Sequence, residues 1–309
     1  TILIAEHRLY YLMDVADRIV YLEQGTIAGV YTPAQLRRLS RDERSAMGLR
    51  AIDLWEEQPE GVSSRPAAPL LEIRDLSLRY KKRTILEHIR LSASPGEVIA
   101  VVGQNGAGKT TFARTVCGLH KDGSGNFLWN GVPKSQKQRQ KLSYMVMQDV
   151  NYELFAESVE AECSFGIKKP DRELVGRTID GLGLTGILKR HPNTLSGGQK
   201  QRVAVAVSMI CKKDLLVFDE PPSGLDFDSM TQVAALIKKL SDAGKVIFIV
   251  THDYEFVCRT CSRVLHFDEG KMMEDLTMEP GNLVRWKELF HVSEEFSQTG
   301  YAEKGFSCD

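Results

Sequence analysis

The sequence predicts an α/β fold, a parallel sheet flanked by helices and built around a phosphate-binding loop. Three observations predict it. The apolar run Val98–Val102 leads into Gly103-Gln-Asn-Gly-Ala-Gly-Lys-Thr110, and residues 109–117 follow with a helical pattern. Two more apolar runs, Asp214–Glu220 and Lys245–Thr251, end in carboxylates and in a histidine, as buried parallel strands with chemistry at their tips would. The composition is that of a globular protein, at 42% hydrophobic and 26% charged residues, so packed layers are affordable.

The bulk numbers also exclude some functions. A net charge of −1 provides no global field for nucleic acid or anionic lipid. No apolar run approaches the ~20 residues of a membrane span, and no signal peptide is visible. The first residue is Thr1, inside a strand-like run, which reads as truncation at the N-terminus. Six cysteines, at 117, 163, 211, 258, 261 and 308, are scattered as in a reducing compartment. Cys258 and Cys261 form a CxxC with no second pair to complete a zinc site, and they read as small core residues.

The chain contains a repeat. Thr1–Ile27 and Val246–Met272 align without a gap: His7 with His252, Arg18 with Arg263 and Gly25 with Gly270 share one offset of 245 residues. Both copies read as strand, histidine, amphipathic helix, then a second strand ending in an acidic-Gly turn. Residues 1–50 are therefore expected to be the C-terminal remnant of a first domain, with 32–50 a short polar helical tail. Residues 51–69 are expected to be a linker, too polar to pack from 56 onward. Residues 70–278 would be a complete domain and 279–309 a tail whose Trp286, Leu289 and Phe290 mark a terminal helix, followed by frayed residues.

The motifs follow in chain order. In the loop, Gly103, Gly106 and Gly108 let the backbone turn its N–H groups toward anionic oxygens. The helix that starts at Lys109 presents its positive end to the same place. Gln104, Asn105, Ala107 and Thr111 complete the nucleotide-binding segment. Lys109 would reach the β- and γ-phosphates and the Thr110 hydroxyl would ligate Mg²⁺. Ser196, Gly197, Gly198 and Gln199 open an apolar helix with bare N–H donors. At the tip of the 214–220 strand, Asp219 suits a water-mediated Mg²⁺ contact and Glu220 a general base. The basic run 134–141 lacks interleaved aromatics and is expected to be a solvated loop rather than a nucleic-acid surface.

With this spacing, residues 70–278 and the partial copy at 1–40 resemble the ABC transporter ATPases, a branch of the P-loop NTPases. The resemblance implies a RecA-like parallel-sheet core with an antiparallel β subdomain and a helical subdomain. It implies that Tyr80 stacks on adenine, and that Gln148, at the end of the strand-like KLSYMVMQ, senses Mg²⁺ and the γ-phosphate. It also implies that 196–199 cap ATP held by the opposite domain of a dimer and that Asp226 couples the two sites. His252 would be the switch histidine that contacts the γ-phosphate and holds Glu220 and water, while His7, serving the absent first domain, would be idle. The cofactors implied are ATP and Mg²⁺. Pro222 departs from the family, which usually carries Thr or another small residue there.

Around Gln148 and in the partial copy the chain is similar to the ATPases of energy-coupling factor (ECF) importers for vitamins or transition-metal ions. That similarity implies ATP hydrolysis at the cytoplasmic face of a membrane, with integral membrane subunits and a second ATPase domain as partners and no nucleic acid. The alternative is a soluble tandem ATPase acting on the ribosome, like the ABC-F factors. Those usually carry a long charged helical linker, whereas the linker here is short and rich in Pro and Ser. Intact Lys109, Asp219, Glu220 and His252 argue against a degenerate domain that binds ATP without hydrolysis.

Overall fold

The computed structural model describes residues 1–59, 68–81, 83–121, 123–167, 169–221 and 225–292. Its elements run β1 (Ile19–Glu23), β2 (Thr26–Tyr31), α1 (Pro33–Arg38), α2 (Arg41–Ala46), β3 (Leu71–Tyr80), β4 (Arg83–Ala93), β5 (Val98–Val102), α3 (Lys109–Val116), β6 (Gly123–Trp129), β7 (Val132–Pro133) and α4 (Gln136–Leu142). There follow β8 (Ser143–Val146), α5 (Val159–Glu162), α6 (Arg172–Gly181), α7 (Gly197–Ile210), β9 (Leu215–Asp219), α8 (Phe227–Asp242), β10 (Val246–Val250), α9 (Tyr254–Thr260), β11 (Arg263–Asp268), β12 (Lys271–Thr277) and α10 (Leu283–Leu289).

A six-stranded sheet in the order β12-β11-β5-β10-β9-β8 forms the centre. Its strands are parallel except β12, which pairs antiparallel with β11. Every residue of β5, β9 and β10 is buried, which explains why these strands read as continuous apolar runs rather than alternating ones. One face packs on α6, α7, α8 and α9 through residues such as Phe218, Ile237 and Phe256. The other face packs on α3 and on an antiparallel sheet, β4-β3-β6-β7, around Phe112, Phe248 and Phe267. The Phe112 ring meets Phe248 and Phe267 edge-on at 5.9 and 5.0 Å. The expected parallel core, antiparallel subdomain and helical subdomain are all present.

The repeat survives in three dimensions as a hairpin. β1 and β2 pair with a register shift between Tyr21 and Leu22, and β11 and β12 shift between His266 and Phe267, the same two positions at the 245-residue offset. The turns match as well. Gln24 and Gly25 have φ of 47° and 80°, and Glu269 and Gly270 have 46° and 78°. The first half of the repeat differs. Residues 1–6 form no strand and the expected helix shrinks to a 3-10 turn, Tyr10–Leu12. A central parallel strand is held by neighbours on both edges. Val246–Val250 lies between β5 and β9, while Ile2 and Leu3 are 87% and 92% exposed.

Three further expectations need correction. The basic run 134–141 is largely helical: Ser135 and Gln138 form a capping box and start α4, and the amides of Gln136 and Gln140 donate to the Gly118 carbonyl. The strand expected to end at Gln148 stops at Val146. Part of the expected linker packs: Glu57 is 5% exposed, and Lys287 of α10 donates to the Trp55 carbonyl at 2.7 Å with its ammonium over the Trp55 ring. Residues 60–67 of that linker and 293–309 of the tail lie outside the described residues. The expected terminal helix is α10, with Trp286 buried, and the expected polar tail is the pair α1 and α2, each opened by a capping box. Cys258 and Cys261 are buried core residues whose thiols burial pushes up to about 12.

Candidate functional site

The strand ends of the central sheet converge on one site. β5 delivers the loop 103–110, whose first and last glycines are fixed by close approach. A Cβ on Gly103 would come within 2.0 Å of the Phe267 carbonyl oxygen on β11. At Gly108, with φ of 97°, it would meet Ile85 Cγ2 of β4 at 2.7 Å. Gln104, Asn105 and Gly106 are exposed at the crest of the loop, whereas Ala107 and Thr111 are half-buried. Lys109 Nζ donates to the Gly103 and Gln104 carbonyls at 2.7 and 2.9 Å, closing the loop over its own helix start. Burial lowers the pKa of this ammonium, which an anion beside it would offset. The first-turn N–H groups of α3 have no intrahelical acceptor. A glycine-lined hollow, a lysine and a helix N-terminus together fit a polyphosphate.

At the tip of β9 two carboxylates separate in role. Asp219 is buried, with Oδ1 accepting from Thr110 Oγ1 at 3.4 Å. Burial raises its pKa, opposed by the Thr110 hydrogen bond and reinforced by the neighbouring Glu220. A carboxylate beside a hydroxyl is a hard oxygen donor set that fits Mg²⁺. The ion, when bound, would neutralise charge on the phosphate oxygens. Glu220 takes φ of 54°, a left-handed conformation that costs a non-glycine residue about 1 kcal/mol or more. Its N–H donates to the Val250 carbonyl at 2.8 Å, which fixes the turn to β10. Thr251 Oγ1 donates to Glu220 Oε2 at 3.3 Å and His252 Nδ1 lies 3.0 Å from Oε1. The hydrogen bond to Glu220 raises the His252 pKa, with burial acting in the opposite direction. Glu220 is thus held at both oxygens, and its strained backbone is set by the strand beside it.

The other expected residues stand apart from this centre. Tyr80 ends β3 with its ring 59% exposed, and the β3–β4 hairpin reaches the loop through Ile85 at Gly108. Gln148 is exposed two residues beyond β8. Among the described residues no hydrogen bond joins it to Thr110 or Asp219. Its neighbour Met147 donates its N–H to Glu153 Oε1. Ser196 caps α7 through a capping box with Gln199. Gly197 and Gly198 form the first turn, and Lys200 Nζ reaches Asn151 Oδ1 at 2.6 Å. No hydrogen bond or ion pair among the described residues links 196–199 to the loop of the same chain. Asp226 caps α8 by accepting from Ser229 N at 2.8 Å. Pro222 lies outside the described residues. His7 is exposed, and among the described residues no hydrogen bond or ion pair joins it to the site residues.

Sequence reasoning missed Thr251, Glu153, Arg8 and Arg50. Thr251 sits next to His252 in a strand-end context that could have flagged it. Arg8 and Arg50 become visible only in three dimensions: Arg8 Nη1 lies 3.0 Å from His252 Nε2, and Arg50 donates to Asp253 and Glu255 at 2.7 Å each.

Comparison with known proteins agrees with this geometry. The family model for ABC transporters matches residues 86–223. A Treponema denticola protein named "Putative ABC transporter ATP-binding protein" is 43% identical over 288 residues, covering 91% of this chain and 59% of the relative. A Pyrococcus horikoshii protein named in the same way is 35% identical over 213 residues, covering 66% of this chain and 82% of the relative. Among solved structures, cbiO1 from Clostridium perfringens, part of the ABC transporter complex cbiONQ, matches with a TM-score of 0.62 and 27% identity over 72% of this chain and 96% of its own. An ATP-binding subunit of an ABC transporter shares the fold, with a TM-score of 0.64 and 22% identity, over 74% of this chain and 100% of its own. The chain spans 53% to 59% of the length of three curated relatives that match over 89% to 91% of it. On motif order, fold and kinship together, the chain belongs to the ATP-binding proteins of ABC transporters.

Proposed function

We propose that this chain hydrolyses ATP and that its complete domain, residues 70–278, works as one half of a tandem ATPase powering an ECF-type importer of a vitamin or transition-metal ion. One observation carries the hydrolytic part. Glu220, held by Thr251 and His252, stands next to the Asp219–Thr110 pair at the end of the phosphate loop. A general base beside an oxygen-donor metal site and a phosphate cradle is the minimum for phosphoryl transfer to water. In this reading Lys109 and the loop residues 103–111 hold the phosphates and Tyr80 stacks on the adenine. Thr110, Asp219 and Gln148 serve Mg²⁺, while Ser196, Gly197, Gly198, Gln199 and Asp226 act on the site of the opposite domain.

Three features support the importer role: the hairpin repeated in residues 19–31 and 264–276, the sequence around Gln148, and the kinship with a part of the cbiONQ complex. No helix among the described residues is long and apolar enough to cross a membrane. The transport path would then belong to separate integral membrane subunits, with this chain peripheral at the cytoplasmic face. The test is a native pull-down from detergent-solubilised membranes, with mass spectrometry of the co-eluting proteins. A transmembrane scaffold with a small hydrophobic partner is the expected outcome, and the small partner would reveal the cargo. Ribosomal proteins without a membrane subunit would sink the importer role and leave the ATPase chemistry standing.

A further inference from the structure

β8 carries the chain up to the phosphate site and ends there. It pairs in parallel with β9 as far as Val146 and Phe218, so Met147 leaves the sheet level with Asp219, and Gln148 follows directly. A backbone amide that leaves a ladder needs another acceptor. For Met147 that acceptor is a side chain, Glu153 Oε1. The contact closes residues 147–153 into a ring, with Gln148 beside the closure.

Glu153 is itself held. Its neighbours Val150 and Leu154 are buried in the same core as Val203 of α7 and Leu216 of β9. The Glu153 N–H donates to the Val150 carbonyl at 3.1 Å, and Asp149 Oδ1 accepts from the Asn151 N–H at 3.0 Å. Lys200 Nζ donates to Asn151 Oδ1 at 2.6 Å and so ties the ring to α7. Beyond the ring, the Ala156 N–H donates at 2.7 Å to Oε2 of Glu162, a second buried carboxyl. The segment between β8 and α5 is thus stapled at Met147 and at Ala156. The first staple costs stability: among the described residues, Glu153 Oε2 is buried without a hydrogen-bond partner. A buried group left unpaired next to a reaction site calls for a role beyond packing.

We propose that Glu153 is a positioning residue of the ATP site: its carboxyl holds the Met147 amide and thereby places Gln148 for Mg²⁺. The proposal rests on the reading that Gln148 serves Mg²⁺. Gln148 is exposed, and among the described residues no hydrogen bond joins it to Thr110 or Asp219. Its reach toward them is therefore set by its backbone, which the ring fixes, while its side-chain torsions stay free.

The test uses the full chain and first reads hydrogen exchange of the Met147 amide by NMR without nucleotide, with the amides of β9 as the reference for an intact sheet. Glu153→Ala is expected to speed exchange at Met147 and leave β9 protected. Glu153→Gln keeps an acceptor oxygen and is expected to keep Met147 protected. Equal exchange in wild type and Glu153→Ala would overturn the proposal. Hydrolysis is the second readout. Glu153→Ala is expected to lower kcat about tenfold and to raise the Mg²⁺ concentration that gives half the maximal rate, and Glu153→Gln to restore most of both. In a Gln148→Ala background, Glu153→Ala should cost nothing further, because the residue it places is gone. A full additional loss there, or a Glu153→Gln variant as impaired as Glu153→Ala, would overturn the proposal. If Gln148→Ala is impaired and Glu153→Ala is not, the placement alone falls. If Gln148→Ala keeps the wild-type rate and Mg²⁺ requirement, the reading of Gln148 falls and takes this proposal with it.

Discussion

Glu153 is a buried carboxyl outside the reaction centre. Oε1 accepts from the Met147 N–H, and among the described residues Oε2 has no hydrogen-bond partner. Burial, opposed by that hydrogen bond, pushes its pKa up to about 8 from an ordinary 4.5. The folded state therefore binds a proton that the unfolded chain has released. The contribution to stability is fully present below the unfolded value and is lost as pH rises toward the folded one. Glu153→Gln should flatten the fall in denaturation midpoint between about pH 5 and pH 8 and leave the fold intact. A midpoint falling as steeply in the variant as in the wild type would show that another group carries the slope. The sequence displayed Asp219, Glu220 and His252 because each ends an apolar run, a pattern legible in one dimension. Glu153 was invisible there, since its significance lies in burial against Met147 and in its nearness to Glu162 and Asp219, none of which spacing encodes.

Elements were legible where local chemistry decides them and obscure where tertiary partners do. β5, β9 and β10 announced themselves by unbroken apolar runs, and the matched hairpins by an acidic-Gly turn at one offset. Strand character at Ile2–Ile4 failed to mature because the same apolar pattern needs neighbouring strands to pair with. The segment after α2 differed in the opposite direction: expected to be a linker from residue 51, it packs through Ile52 and its charges find partners. Arg50, Asp253 and Glu255 are all buried, and Arg259 lies 3.7 Å from both Glu57 and Glu255. Removing one member of such a group leaves opposite charge buried without compensation. Arg50→Met should therefore cost about 3–5 kcal/mol. The thermal midpoint should drop by roughly 10 °C, at about 2–4 °C per kcal/mol for a chain of this size. Adding Asp253→Asn and Glu255→Gln should recover most of the loss, because Asn can still cap α9. A variant as stable as the wild type would mean that the segment is not docked in solution.

At the scale of the whole molecule, the phosphate loop and the Ser-Gly-Gly-Gln helix start belong to different neighbourhoods. The loop packs against β4 and Phe267, whereas α7 begins beside Asn151, in the helical layer. On the proposed reading these are the two halves of a phosphate clamp, and a chain that holds them apart is suited to share each half with another domain. This chain spans 59% and 58% of the length of two relatives, and residues 19–31 repeat the hairpin of residues 264–276. The consequence is a rate that depends on association. Glu220→Gln should abolish turnover, because the neutral amide cannot accept the water proton, and it should leave the phosphate loop and Asp219 intact. With hydrolysis blocked, ATP should hold two copies together. Size-exclusion chromatography with light scattering should then move the variant from 34.6 kDa to twice that mass on addition of MgATP, while ADP leaves it unchanged. Lys109→Ala in the same background should prevent the shift, since the ammonium that binds the phosphates is gone. A variant that hydrolyses ATP at the wild-type rate would remove Glu220 from the role of base. One that loses turnover yet stays monomeric with ATP would mean that this chain closes only on a different partner.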